Sequence, residues 1–222
     1  MKIPAFVASI MLACFTMAAA QNTPEWELFG GAQYMRFDAA QIQSQVDQST
    51  FNLGLAPVNL SSHLNLSGWN VALQQNSNHW FGGILDFSGN YTTSKNSTIP
   101  ALVFQFPPPT VAVNNVIRYY TFLAGPQFTL RKSSRLQPFG RVMFGGAHQR
   151  IESSASQNGV PASVLSTTTG FAFGPGGGID VRVSNRIAIR TTADYIRAYL
   201  GGGEPGNHIR IGVGLDFRIN QK

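Results

Sequence analysis

Between residues 207 and 219 apolar and polar positions alternate. Ile209, Ile211, Val213, Leu215 and Phe217 fall on one face, and Arg210, Gly212, Gly214, Asp216 and Arg218 on the other. A period of two is the geometry of a β-strand whose faces meet different surroundings. The pattern recurs. Over 187–195, Ile187, Ile189, Thr191, Ala193 and Tyr195 oppose Ala188, Arg190, Thr192 and Asp194; over 177–183, Ile179, Val181 and Val183 oppose Gly178, Asp180 and Arg182. Phe81, Leu85, Phe87 and Tyr91 oppose Gly82, Ile84, Asp86, Ser88 and Asn90. Trp26, Leu28, Ala32 and Tyr34 oppose Glu27, Phe29, Gly31 and Gln33, and Trp69, Val71 and Leu73 oppose Asn70, Ala72 and Gln74. Two stretches, 116–130 and 137–150, are rich in β-formers with a less clean phase. Gly125-Pro126 predicts a bulge or an end, since proline cannot donate to a ladder.

Eight strands follow, near 26–37, 66–76, 80–92, 116–130, 137–150, 170–183, 187–199 and 207–219. Their connections alternate in length. Those at 77–79, 131–136 and 184–186 are short; those at 38–65, 93–115 and 151–169 are long, and 200–206 is intermediate. Short turns at one end and long polar loops at the other, with both termini on the short side, predict an all-β fold. Its form is an eight-stranded antiparallel up-and-down transmembrane β-barrel, with periplasmic turns and long outer loops. An even strand number lets the first and last strands pair, which removes edges that hydrocarbon cannot hydrogen-bond.

Composition supports a membrane surface. Only 12 % of the 222 residues are charged, while 43 % are hydrophobic, and a soluble domain covers itself with about twice that charge. No run of about 18 apolar residues follows the N-terminal segment, so no spanning helix is expected. Met1-Lys2, an apolar stretch from Ile3 to Met17 and Ala18-Ala19-Ala20 read as a signal peptide over 1–20, leaving 21–222 as the barrel domain. The single cysteine, Cys14, lies in that leader, so no disulfide or cysteine-based metal site is expected in the mature chain. The net charge of +6 comes from scattered arginines, which makes nucleic acid a poor partner. Aromatics gather near strand ends. Trp26, Trp80, Phe81, Phe128 and Phe217 are expected at the periplasmic rim, and Tyr34, Tyr91, Tyr119 and Tyr195 at the outer rim, as membrane-interface anchors.

Three stretches carry a family resemblance: Tyr120 to Phe128 (YTFLAGPQF), Gln137 to Gly146 (QPFGRVMFGG) and Gly176 to Arg182 (GGGIDVR), together with the last strand from Ile209 to Ile219. With them the mature chain resembles the small bacterial outer-membrane barrels of the OmpA transmembrane-domain, OmpX and opacity-protein type. The resemblance implies location in the Gram-negative outer membrane. It also implies the lipid bilayer and, during biogenesis, the barrel-assembly machinery as partners, and it brings no catalytic residues. Members usually end on an aromatic residue; this chain continues past Phe217 to Lys222.

Active-site chemistry is not evident. The histidines are His63, His79, His148 and His208. Lipid-A deacylases that resemble this fold set a His and a Ser two residues apart near the last strand, whereas Arg210 stands two after His208. No metal-ligand spacing occurs on a strand face, and no cofactor is expected. Gly174 to Gly178 lacks the Lys-Ser/Thr of a phosphate loop; close packing in a narrow barrel is its expected use.

The inward charges are the distinctive feature. Glu27, Asp86, Asp180, Asp194 and Asp216 face inward by parity, with Arg182, Arg190, Arg210 and Arg218 and, in the less regular strands, Arg118 and Arg141. Five acids against six bases predict an ion-pair network filling a lumen only just wide enough for side chains. Arg182 and Arg210 are the expected partners of Asp194. The function expected is that of a non-enzymatic, monomeric outer-membrane barrel with a charge-plugged lumen and a structural or surface-interaction role, its ligand undefined. Alternatives are a narrow pore for ions or small solutes and a lipid-modifying enzyme.

Overall fold

The computed structural model describes residues 23–38, 43, 51, 63–100, 110–132, 135–157, 160–201 and 205–221, with some side chains at the outer ends of the longest strands left undescribed. The expected signal peptide lies outside this set. Eight strands run in chain order: β1 (Pro24–Asp38), β2 (His63–Asn76), β3 (Phe81–Pro100), β4 (Thr110–Thr129), β5 (Leu136–Gln157), β6 (Val160–Arg182), β7 (Ile187–Leu200) and β8 (Gly206–Gln221). Each pairs antiparallel with the next, and β1 pairs with β8 from Pro24↔Gln221 to Arg36↔Ile209, closing the barrel. The fold expected from alternation is the fold observed.

Alternation becomes an inside and an outside. Ile211, Val213 and Leu215 are exposed on the wall, while Arg210 and Asp216 are fully buried in the lumen. Among the described residues, the outer face is lined mainly by large apolar side chains, as hydrocarbon contact requires. At the short-turn end Trp80 stacks on Phe128 at 5.8 Å, with Phe81 packed against both, and Trp26 and Phe217 share that rim. At the other end Tyr34, Tyr91 and Tyr195 point outward; the Tyr34 hydroxyl donates to Asn65, and Trp69 Nε1 donates to the Tyr91 hydroxyl at 3.2 Å.

Three expectations about strands 3 to 6 need correction. The segments 93–115 and 151–169 are largely not loops. The β5–β6 ladder continues without a break in register from Leu136↔Val181 to Gln157↔Val160, and β3–β4 extends to Pro100↔Thr110 after one shift between Ser94 and Ser97. At 22 and 23 residues, β5 and β6 are about twice the length that crossing a bilayer requires. Ser- and Thr-rich sequence resembles loop composition, but its backbone extends a ladder already nucleated below it. The Gly125-Pro126 step neither ends nor shifts β4: the β4–β5 ladder omits both residues and resumes in the same register, Ala124↔Phe144 before and Gln127↔Arg141 after.

The third correction is the phase of β4. Tyr119 faces the lumen and is fully buried, and Arg118 faces outward with a side chain 37 % exposed. Tyr119 is therefore not an interface aromatic, and Arg118 is not a member of the lumen network. Val116-Ile117 and Tyr119-Tyr120 present like residues on both faces, so local pattern leaves the phase open. The neighbours close it, since Tyr119 sits in register between Asn90 and Gln149, both inward.

Candidate functional site: the packed lumen

The lumen holds two clusters of opposite charge. The lower lies near the short-turn end. Arg190 on β7 donates to Glu27 on β1 at 2.6 Å and grips Asp180 on β6 with Nε and Nη2 at 2.7 and 2.8 Å. Its Nη1 lies 3.5 Å from Asp216 on β8. Arg218 lies between Asp216 and Asp180, at 3.4 and 3.5 Å, and donates to Gln137 at 2.9 Å. Arg131, just past the end of β4, reaches Glu27 at 2.7 Å and the His79 carbonyl at 2.8 Å. The guanidinium of Arg190 also lies 4.9 Å from the centre of the Phe139 ring, a cation–π contact.

The upper cluster has four members. Arg141 on β5 forms a two-point fork on Asp194, at 2.9 and 2.7 Å. Arg210 on β8 donates to the same carboxylate at 3.0 and 2.8 Å and to Asp86 on β3 at 2.8 Å. Arg141 Nη1 and Asp86 Oδ2 lack a hydrogen bond, but they face each other at 3.5 Å and so balance by charge. All four side chains are essentially inaccessible to solvent.

The charge count is decisive. Glu27, Asp180 and Asp216 meet Arg131, Arg190 and Arg218; Asp86 and Asp194 meet Arg141 and Arg210. Among the described residues, five acids against five arginines leave this ion-pair network neutral, rather than five against six. Arg182 stands outside the network: it is half-exposed, and Asp180, its neighbour on the same face, is taken by Arg190 and Arg218. Arg182 is accordingly not a partner of Asp194, which is held by Arg141 and Arg210. Arg131 is the member that sequence reasoning missed. It looked like a turn residue, yet it continues the inward odd-numbered series Leu123, Gln127 and Thr129.

Glycine makes the room. A Cβ at Gly176 would fall on the Asp194 carboxylate, and one at Gly178 would strike the Phe139 ring at 2.7 Å. The Gly-rich run therefore sets the space for the arginine forks. Toward the outer end polar pairs give way to rings. Gln33 donates to Asn90 at 2.9 Å, and Ser88 meets Thr121 at 2.7 Å. Phe37 stacks on His208 at 4.4 Å, with Tyr119 edge-on to both. His208 is thus walled by rings, and Arg210, two positions on, is committed to carboxylates, so no nucleophile–base pair forms there. Glu27, Asp180 and Asp216 bring carboxylate oxygens within 4.8 Å of one another, but three arginines already compensate that trio.

Comparison with known proteins places the chain. The profile of the family described as "Outer membrane protein beta-barrel domain" matches residues 6–217. The chain belongs to this family of outer-membrane β-barrels. Among solved structures it is similar to Ail, the attachment invasion locus protein of Yersinia pestis, at 18 % identity and a TM-score of 0.53, covering 88 % of this chain and 99 % of that one. It is also similar to neisserial surface protein A, at 8 % identity and a TM-score of 0.50, covering 90 % and 100 %. At these identities the likeness concerns the fold. A comparison with curated protein sequences finds no match.

Proposed function

We propose that this outer-membrane barrel is a non-enzymatic, monomeric surface protein, with a lumen closed by ion pairs and a wall that holds two long hairpins out for contact. The observation that carries the reading is the neutral set of five carboxylates and five guanidiniums, buried and bridged across the barrel. Ions crossing this lumen would have to displace charge-assisted bonds between desolvated partners. Purified protein in planar bilayers is expected to be silent. Steady conductance by the wild type would replace this reading with that of a narrow pore.

The hairpins β3–β4 and β5–β6 supply the contact surface. They extend beyond the membrane length on the side opposite the short turns, which orients the barrel with its hairpins outside. The bilayer and the barrel-assembly machinery are its partners in the membrane, and the surface ligand is a question for binding assays. With the only cysteine in the leader, Ser163→Cys should react with a membrane-impermeant maleimide on intact cells, and Asn185→Cys, in the β6–β7 turn, should react only after lysis. Labelling of Asn185→Cys alone would invert the orientation.

A further inference from the structure

Among the described residues, the outer wall carries a hollow on one side. Trp69, Phe87, Tyr120, Phe122, His148 and Thr169 surround a hollow of about 360 Å³ against β2–β6, and Gly146 forms part of its floor. The space over Gly146 is open, with only the Gly170 carbonyl near a Cβ placed there, at 3.9 Å. One step toward the outer end, Arg118 and Arg150 are register partners on β4 and β5. Both point outward and share one carboxylate oxygen, Glu152 Oε1, at 3.1 and 2.7 Å. Two guanidiniums on one carboxylate leave an excess positive charge, with exposed N–H groups at the edge of the apolar hollow. At the same end of the opposite wall, Arg36 sits beside His63 and Arg197 lies over the Tyr199 ring.

We propose that this hollow and its two arginines bind one molecule of lipid A, the phosphorylated, multiply acylated sugar lipid of the outer leaflet. One acyl chain lies in the hollow and a sugar phosphate is held by Arg118 and Arg150. Three observations converge on that occupant. The hollow faces hydrocarbon and has the aromatic and glycine lining that an acyl chain packs against. The cations stand at the level of the outer aromatic girdle, Arg118 being the register partner of Tyr91, which packs on Tyr120. Their fork geometry suits a phosphate, which can bridge both guanidiniums. The assignment rests on the orientation with the hairpins outside. The maleimide test decides that orientation separately, and lipid binding in detergent does not depend on it.

Native mass spectrometry of the folded barrel in detergent, titrated with lipid A, tests the proposal. The wild type is expected to retain one lipid A. Removing both phosphates from the lipid should lower retention by about tenfold, and so should Arg118→Ala combined with Arg150→Ala, as loss of a charge-assisted fork predicts. Gly146→Leu, which fills the floor from the lipid side, should also weaken binding. Arg36→Gln and Arg197→Gln, on the opposite wall, should bind as the wild type does. The dephosphorylated lipid tests the wild-type protein and so needs no variant to fold; heat-modifiable gel mobility reports folding of the others. Equal retention of phosphorylated and dephosphorylated lipid A would overturn the proposal. So would equal retention of phosphatidylglycerol, which would mean an unselective lipid annulus, or wild-type retention by the double arginine variant.

Discussion

Replacing Asp194 with Asn is expected to destabilise the barrel by about 3–5 kcal/mol, the cost of leaving buried charge without its partner. Arg141 and Arg210 both fork onto this carboxylate, and Asp86 alone would remain to balance them. Arg210→Gln should cost a similar amount, because it leaves Asp86 and Asp194 to share Arg141. The double variant should recover part of the loss, since Asp86 and Arg141 already face each other at 3.5 Å and the remaining pair is neutral. Denaturant unfolding in detergent, followed by tryptophan fluorescence and heat-modifiable mobility, measures all three. Strict additivity would mean that the four residues do not act as one cluster. Arg182→Gln is the control: outside the network, it should not rescue Asp194→Asn. A variant lacking the pair also tests the plug, because small conductances absent from the wild type are expected once the fork is removed.

The second large effect lies on the outward face of β8, the strand that carries Arg210. Val213 is 53 % exposed on the outer wall. It sits midway between Ile209, paired with Tyr195 of the outer girdle, and Phe217, at the opposite rim. Val213→Arg should cost about 2–4 kcal/mol, the penalty for a guanidinium at the bilayer midplane. Gly212→Val should fail for a different reason: the lumen has no room, and its Cβ alone would come within 2.7 Å of the Thr192 hydroxyl. Unfolding in lipid vesicles separates the two, because a thin bilayer should soften the Val213→Arg defect and leave the Gly212→Val defect unchanged. A well-tolerated Val213→Arg would reverse the assignment of faces on β8, since a slip of one residue exchanges them.

The corrected residues mark where local pattern stops being informative. Strands β1, β2, β3, β7 and β8 keep charged residues off one face throughout their membrane-crossing part, so inward Glu27, Asp86, Arg190, Asp194, Arg210, Asp216 and Arg218 could be assigned from the order of residues. Asp180 follows in the same way from the lower part of β6, and Arg141 was assigned correctly from a strand of mixed pattern. In β4, Arg118 and Tyr119 could not be so assigned. Their polarity suits either side of a wall near the membrane surface, where an outward arginine can meet Glu152 and an inward tyrosine can close a ring stack. Arg131 carries no strand signal, because its backbone has left the ladder while its side chain still follows the ladder's phase.

The order of residues by itself determined that this chain makes eight alternating strands, that they close, which face most strands turn to lipid, and that the interior carries charges of both signs. Period-two alternation and turn spacing are local quantities, and each strand declares them independently. Only the tertiary structure decided which arginine meets which carboxylate, how far β3 to β6 run beyond the membrane, and that the lumen balances at five against five. Those depend on register around a closed ring. Asp194 meets Arg141 across β6, and Arg210 meets Asp86 across the lumen, only because closure of β1 on β8 fixes the stagger of every strand. No alternation within one strand encodes the height at which it meets another.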